Sequence, residues 1–152
     1  MVGDEHNMRQ LRSGDIPQAD TLKTVRQVLC EIAKGNTTVA AIHEETGVSE
    51  RHIQYRLQTA RILGLCEAKN VITQLGNRLL KTTEGTPEES ALWRRVILAC
   101  PTVKQLVPFI FGKEEIDRIE LATRIQTATG MSPETAKRRM TVFCSWRRQL
   151  KH

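Results

Sequence analysis

A chain of 152 residues with 23 Lys plus Arg against 17 Asp plus Glu has a formal net charge of +6 and a length that admits one domain or two small ones. Hydrophobic residues make up 39% of it but aromatic ones only 4%, a composition for small helical units with aliphatic cores rather than a large β-sandwich or a big enzyme cleft. No run approaches the roughly 18 apolar residues of a membrane span, and residues 1–20 carry Asp4, Glu5 and Asp15 without an apolar stretch, so membrane insertion and secretion are disfavoured.

Charge is unevenly spread: residues 20–81 hold nine bases against six acids, and residues 87–152 hold twelve against seven. The predicted division is a flexible arm over 1–19, a first domain over 20–81, a linker over 82–86 and a second domain over 87–152. The arm contains two glycines and Pro17, and the linker lies within the apolar-free run KTTEGTPEES. In the first domain, Leu22, Val25, Val28, Leu29 and Ile32 share one face of a helix over Thr21 to Lys34, stopped by Gly35. A short helix with Val39 and Ile42 inward ends at Gly47, and Ser49 caps a third from Glu50 to Leu63, so the pair reads as helix-turn-helix. The segment LCEAKNVIT predicts two short strands turning at Lys69 and Asn70, and LGNRLLK a closing helix.

The second domain repeats part of this plan. Helices are predicted over Glu88 to Ala99 and Ile116 to Thr129, with TVKQLVPFIFG between them as a kinked, buried helical piece. Gly130 ends the earlier helix and Ser132 caps a long last one, with Pro133 and Glu134 in its first turn. The fold class expected is therefore mostly α, with two consecutive helix-turn-helix units, the first winged by a small β-hairpin and the second wing-poor.

Helical spacing puts Ile53, Leu57 and Ala60 on the buried face of the third helix and Arg51, Gln54, Tyr55 and Gln58 on the other. Arg and Gln suit base edges in a DNA major groove, since each can bond a purine bidentately. In the last helix Ala136, Met140, Phe143, Trp146 and Leu150 form the inward stripe, and Lys137, Arg138, Thr141 and Arg148 lie outward. Six Lys or Arg follow from position 137 with no acid among them, a one-signed surface suited to phosphate. Arg139 and Arg147 project towards the core side, available for carbonyls or acids within the fold. Lys69 in the wing is the remaining phosphate candidate.

The run TGVSERHIQYRLQTARILGLCE with VITQLGNRLL resembles winged-helix modules through Glu50, Arg51, Tyr55, Ala60, Leu63, Gly64, Leu65, Thr73 and Gly76. MSPETAKRRMTVFCSW, with Ser132, Thr135, Arg138, Arg139, Thr141 and Trp146, is similar to the module that often follows in proteins of restriction-modification and AAA-type DNA-processing systems. The resemblance covers residues 20–150 and implies sequence-guided binding of double-stranded DNA, with a nuclease, methyltransferase or ATPase as companion. A fold of this kind also serves protein contacts.

No nucleophile with a neighbouring base, phosphate loop or metal-binding carboxylate arrangement is present, so the chain is not expected to be an enzyme and has no catalytic residues. Cys30, Cys66, Cys100 and Cys144 stand far apart among aliphatic residues, and His6, His43, His52 and His152 have no zinc spacing. No metal or cofactor is expected, and reduced thiols fit the cytoplasm, at the nucleoid in a bacterial or archaeal cell. The function expected is double-stranded DNA binding, as a transcription regulator or the specificity subunit of a restriction or defence system. The alternative is a protein adaptor tethering a nuclease or ATPase, motivated by the apolar density of VPFIFG. Structured RNA is a third reading, and whether a homodimer reads a palindrome stays open.

Overall fold

The computed structural model describes residues 10–151. They form eight α-helices and one two-stranded antiparallel sheet: α1 (Leu22–Ala33), α2 (Val39–Thr46), α3 (Glu50–Ile62), β1 (Cys66–Glu67), β2 (Val71–Ile72), α4 (Gln74–Lys81), α5 (Pro87–Ala99), α6 (Pro101–Leu106), α7 (Arg118–Thr129) and α8 (Pro133–Leu150). The helices start where oxygen-bearing caps stand. Thr38, Ser49, Thr73, Thr86, Asp117 and Ser132 each accept a bond from a backbone N–H in the first turn, satisfying a donor that the helix itself leaves open.

The connections α2–α3 and α7–α8 share a device. Gly47 at φ 75° and Gly130 at φ 74° close the preceding helix in the left-handed conformation that only glycine adopts at no cost. Two residues after each glycine, Ser49 and Ser132 open the next helix. In the hairpin Cys66 pairs with Ile72 and Glu67 with Val71. Its loop places Lys69 at φ 66° and Asn70 at φ 57°, and Asn70 holds the geometry by accepting from Arg61 Nη1 at 2.9 Å and donating to the Thr37 carbonyl at 2.9 Å.

Buried side chains are shared across the expected arm and both expected domains. One cluster of buried side chains takes in Leu11, Ile16 and Ala19, then Leu22, Val25, Leu29, Ala60 and Leu65, and continues through Trp93, Val103, Ile125, Phe143 and Trp146. A smaller cluster of Val28, Ile32, Ile42, Ile53 and Leu57 lies under α2 and α3. The physical reason is scale: a unit of about 60 residues buries a smaller share of its surface than a body of about 150, and a shared core removes more apolar area from water, at about 1.5–3 kcal/mol for each large side chain fully buried.

Residues 10–20 are not a free arm but a strap between the two helical groups; residues 1–9 of the expected arm lie outside the described residues. Leu11 N–H donates to the Ala128 carbonyl at 2.8 Å, and Thr102 Oγ1 donates to the Asp15 carbonyl at 3.1 Å. Ala19 is held from both sides, its N–H by Thr59 Oγ1 at 3.0 Å and its carbonyl by Trp146 Nε1 at 3.2 Å. Gln149 accepts from Leu22 N–H and donates to the Asp20 carbonyl, which Ser145 Oγ also reaches.

The expected linker 82–86 is likewise a tied junction. Arg26, buried on α1, donates to the carbonyls of Leu79, Leu80 and Thr82, to Thr82 Oγ1 and to Glu89 Oε2 at 2.8 Å. It thereby satisfies the open carbonyls at the end of α4 and binds the start of α5. The piece predicted over TVKQLVPFIFG is helical only through Leu106, and beyond it two consecutive residues differ: Ile110 is fully buried whereas Phe109 is 82% exposed. No helix is long and apolar enough to cross a membrane among the described residues.

Candidate nucleic-acid interface

Helix α3 buries Ile53, Leu57 and Ala60 against α1 and α2, so its opposite face is presented outward, as the spacing predicts. The strap divides that face in two. Over the C-terminal half, Gln58 Nε2 donates to the carbonyls of Gly14 and Ile16 at 3.1 and 2.8 Å, and its Oε1 accepts from Gln18 N–H at 3.1 Å. Gln58 therefore anchors the strap and is not free for a base edge, which corrects its assignment as a base reader. The helical face was placed correctly, but residues some 40 positions away cover it.

The N-terminal half is open. Arg51 and Gln54 are exposed and Tyr55 is half-buried. Arg51 Nε donates to the Tyr55 hydroxyl at 2.7 Å, and its guanidinium carbon lies 5.6 Å from that ring's centroid. The hydrogen bond, then the charge of the Tyr55 oxygen, raises the pKa of Arg51 above its ordinary value. The contact holds the long side chain in place and leaves both terminal nitrogens for an acceptor. A guanidinium so held has lost part of the freedom that bidentate binding would otherwise remove. Lys69 stands exposed at the hairpin tip, whose position against α3 is fixed by the Arg61–Asn70 bond.

Helix α8 packs Ala136, Met140, Phe143, Trp146 and Leu150 inward and leaves Lys137, Arg138, Thr141 and Arg148 exposed. At 1.5 Å per residue, Lys137 and Arg148 stand about 16 Å apart along one side of the helix. Thr141 Oγ1 is turned onto the Arg138 carbonyl at 2.6 Å, and Arg138 reaches Thr135 Oγ1 at 3.4 Å. The hydroxyl of Thr141 thus donates within its own helix, leaving only its acceptor capacity outward.

The six-base run is not one surface. Arg147 is buried and donates to the carbonyls of Ile110 and Gly112 at 2.7 and 2.9 Å. Lys151 also binds the Gly112 carbonyl. Both serve the α6–α7 connection, as expected of Arg147 from its place on the inner stripe. Arg139 is half-buried, and its Nε has no partner among the described residues. Burial first, and then Arg138, lower its pKa, with Tyr55 opposing them. Tyr55 on α3 thus bears on the charge of Arg139 on α8, a link between the two helices that a sequence read one helix at a time could not reveal. The useful signal was Trp146: a buried indole N–H needs an acceptor, and something must lie against that side of α8.

Neither of the histidines of the first unit is arranged as a ligand: His43 Nδ1 lies 2.6 Å from the Val48 carbonyl and His52 Nδ1 2.9 Å from Ser49 Oγ. Outside both basic surfaces, a groove of about 460 Å³ runs between α6 and α7, lined by Leu106, Val107, Phe109 and Leu121 with Glu114 and Glu120 on its rim. In comparisons with known proteins, no family model, no curated protein and no solved structure matches the chain.

Proposed function

We propose that the chain binds double-stranded DNA through two helix-turn-helix units, α2–α3 with β1–β2 as its wing and α7–α8 without one. The carrying observation is the pair of open polar faces, Arg51, Gln54 and Tyr55 on α3 and Lys137, Arg138 and Arg148 on α8, left clear by a core that buries the opposite side of each helix. Arg51 and Gln54 suit base edges near the N-terminus of a recognition helix, where such helices meet the major groove. Lys69, Lys137, Arg138 and Arg148 suit phosphates, with Tyr55 holding Arg51 in place and Thr141 supplying an acceptor beside Arg138. This activity fits a transcription regulator or a DNA-specificity subunit acting with a nuclease, methyltransferase or ATPase in the cytoplasm. Selection of bound duplexes from a random pool tests it. An enriched motif is expected, its symmetry reporting whether one copy or a homodimer reads it; no duplex retained at low salt contradicts the proposal.

One observation favours a second reading, a protein adaptor. Phe109, 82% exposed, rims the α6–α7 groove, and large exposed aromatics of this kind are common anchors for a protein partner. Stable association with a nuclease or ATPase subunit, in a chain that fails to bind duplex, distinguishes it.

A further inference from the structure

We infer that the seam between α3 and α8 is a binding site for one phosphodiester of the duplex, with Arg139 as its anion-binding residue and the strap setting the distance between the two helices. The inference rests on the DNA-binding reading above and deepens it by joining two surfaces into one.

The geometry begins at Ala19. Its N–H is bonded by Thr59 of α3 and its carbonyl by Trp146 of α8, so a single extended residue separates the two helices at that level. Tyr55 lies one turn before Thr59 on α3, and Arg139 lies two turns before Trp146 on the same side of α8, so Arg139 stands on the side of α8 that Ala19 meets. The influence of Tyr55 on the Arg139 pKa agrees with an approach of the two side chains across the strap.

Arg139 is unusual there. Buried donors in folded proteins almost always find acceptors. Arg26, whose buried Nε also has no hydrogen-bond partner among the described residues, spends its remaining nitrogens on carbonyls and Glu89. Among the described residues Arg139 makes no such bond. It is charged at any ordinary pH, half-removed from water, and next to Arg138 rather than to an acid. What this position lacks is an anion with oxygens for a planar fork, which a phosphate provides. Arg138 adds positive charge beside it, and Arg51 on α3 is held by Tyr55.

The test compares Arg139→Met and Arg139→Lys with the unaltered chain in duplex binding across a salt series. The expected result is about tenfold weaker binding for Arg139→Met at moderate salt, with a log–log salt slope shallower by about 0.9, the amount for one phosphate contact. Arg139→Lys, which keeps the charge, retains the slope. Thermal unfolding of Arg139→Met is expected at or above that of the unaltered chain, because no internal bond is lost. Duplex binding by the unaltered chain with an Arg139→Met slope equal to it overturns the seam site and leaves the DNA-binding reading standing. No duplex binding by the unaltered chain overturns both. As an independent readout, the Arg139 Nε–H resonance shifts when a short duplex is added; a resonance that stays in place while other residues of α3 and α8 shift also overturns the site.

Discussion

Replacing Arg26 by Met tests whether the two halves of the chain fold as one body. The Arg26 side chain is 7% exposed; methionine keeps much of its aliphatic stem but removes the guanidinium, which is bonded to the carbonyls of Leu79, Leu80 and Thr82, to Thr82 Oγ1 and to Glu89. The carboxylate of Glu89, 13% exposed, loses its ion-pair partner, and the end of α4 loses its cap. Removing one member of a buried ion pair costs about 3–5 kcal/mol, because the other charge is left desolvated and alone. For a chain of this size about 2–4 °C of melting temperature accompanies each kcal/mol. The expected shift is therefore on the order of 6–20 °C. Urea unfolding followed by far-ultraviolet ellipticity and by tryptophan fluorescence is the assay. Ellipticity reports every helix, whereas both tryptophans, Trp93 and Trp146, lie in α5 and α8. With a shared core the two signals move together and by the same amount. A loss below about 1 kcal/mol, or a fluorescence transition that stays in place while ellipticity splits in two, would refute the reasoning.

Three further outcomes follow from particular contacts. Trp146→Phe removes the bond to the Ala19 carbonyl and is expected to cost about 1–3 kcal/mol, for a buried carbonyl left unpaired; amide exchange of Leu11 and Ala19 quickens, while unchanged protection there would show that the strap is held by other means. Gly76→Ala places a Cβ 2.2 Å from the Leu65 carbonyl oxygen and 2.9 Å from Ile72 Cγ2, a backbone collision expected to destabilise by at least about 1–3 kcal/mol in a denaturant titration. The Asn36 side-chain amide, aided by Lys34, holds the Glu31 carboxyl below its ordinary range despite burial. Because the folded pKa is the depressed one, this contribution is present above the unfolded value and lost as pH falls through the folded value. The stability gap between the unaltered chain and Glu31→Gln should accordingly narrow on acidification below the ordinary carboxylate range, and a gap that widens would contradict the assignment.

What could be read from the sequence was local. Ser49 and Ser132 marked helix starts, Gly47 and Gly130 marked stops, and the Lys69–Asn70 pair marked a hairpin, because each feature is set within a few residues of itself. The outward placement of Arg51, Gln54, Lys137 and Arg148 followed from periodicity alone. The strap escaped because residues 10–20 have no helical or alternating pattern, and their partners Gln58, Thr59 and Trp146 lie 40 or more positions away. Its apolar members Leu11, Ile16 and Ala19 carried the missed signal, since a free arm has no need of them. Gln58 was lost as a base reader for the same reason. The junction at 82–86 looked like a linker because its own residues are polar, whereas what ties it down is Arg26, more than 50 positions earlier.

The most direct test of the central claim is duplex binding, measured across a salt series, by a Lys137→Ala, Arg138→Ala and Arg148→Ala triple variant. These three side chains are exposed, and among the described residues the only bond any of them makes to another side chain is the 3.4 Å contact from Arg138 to Thr135, so the fold should be preserved. If they meet phosphates, the log–log slope becomes shallower by about 2.7, at roughly 0.9 for each contact. A folded triple variant that binds duplex DNA with an unchanged slope would contradict the assignment of α8 to the DNA backbone.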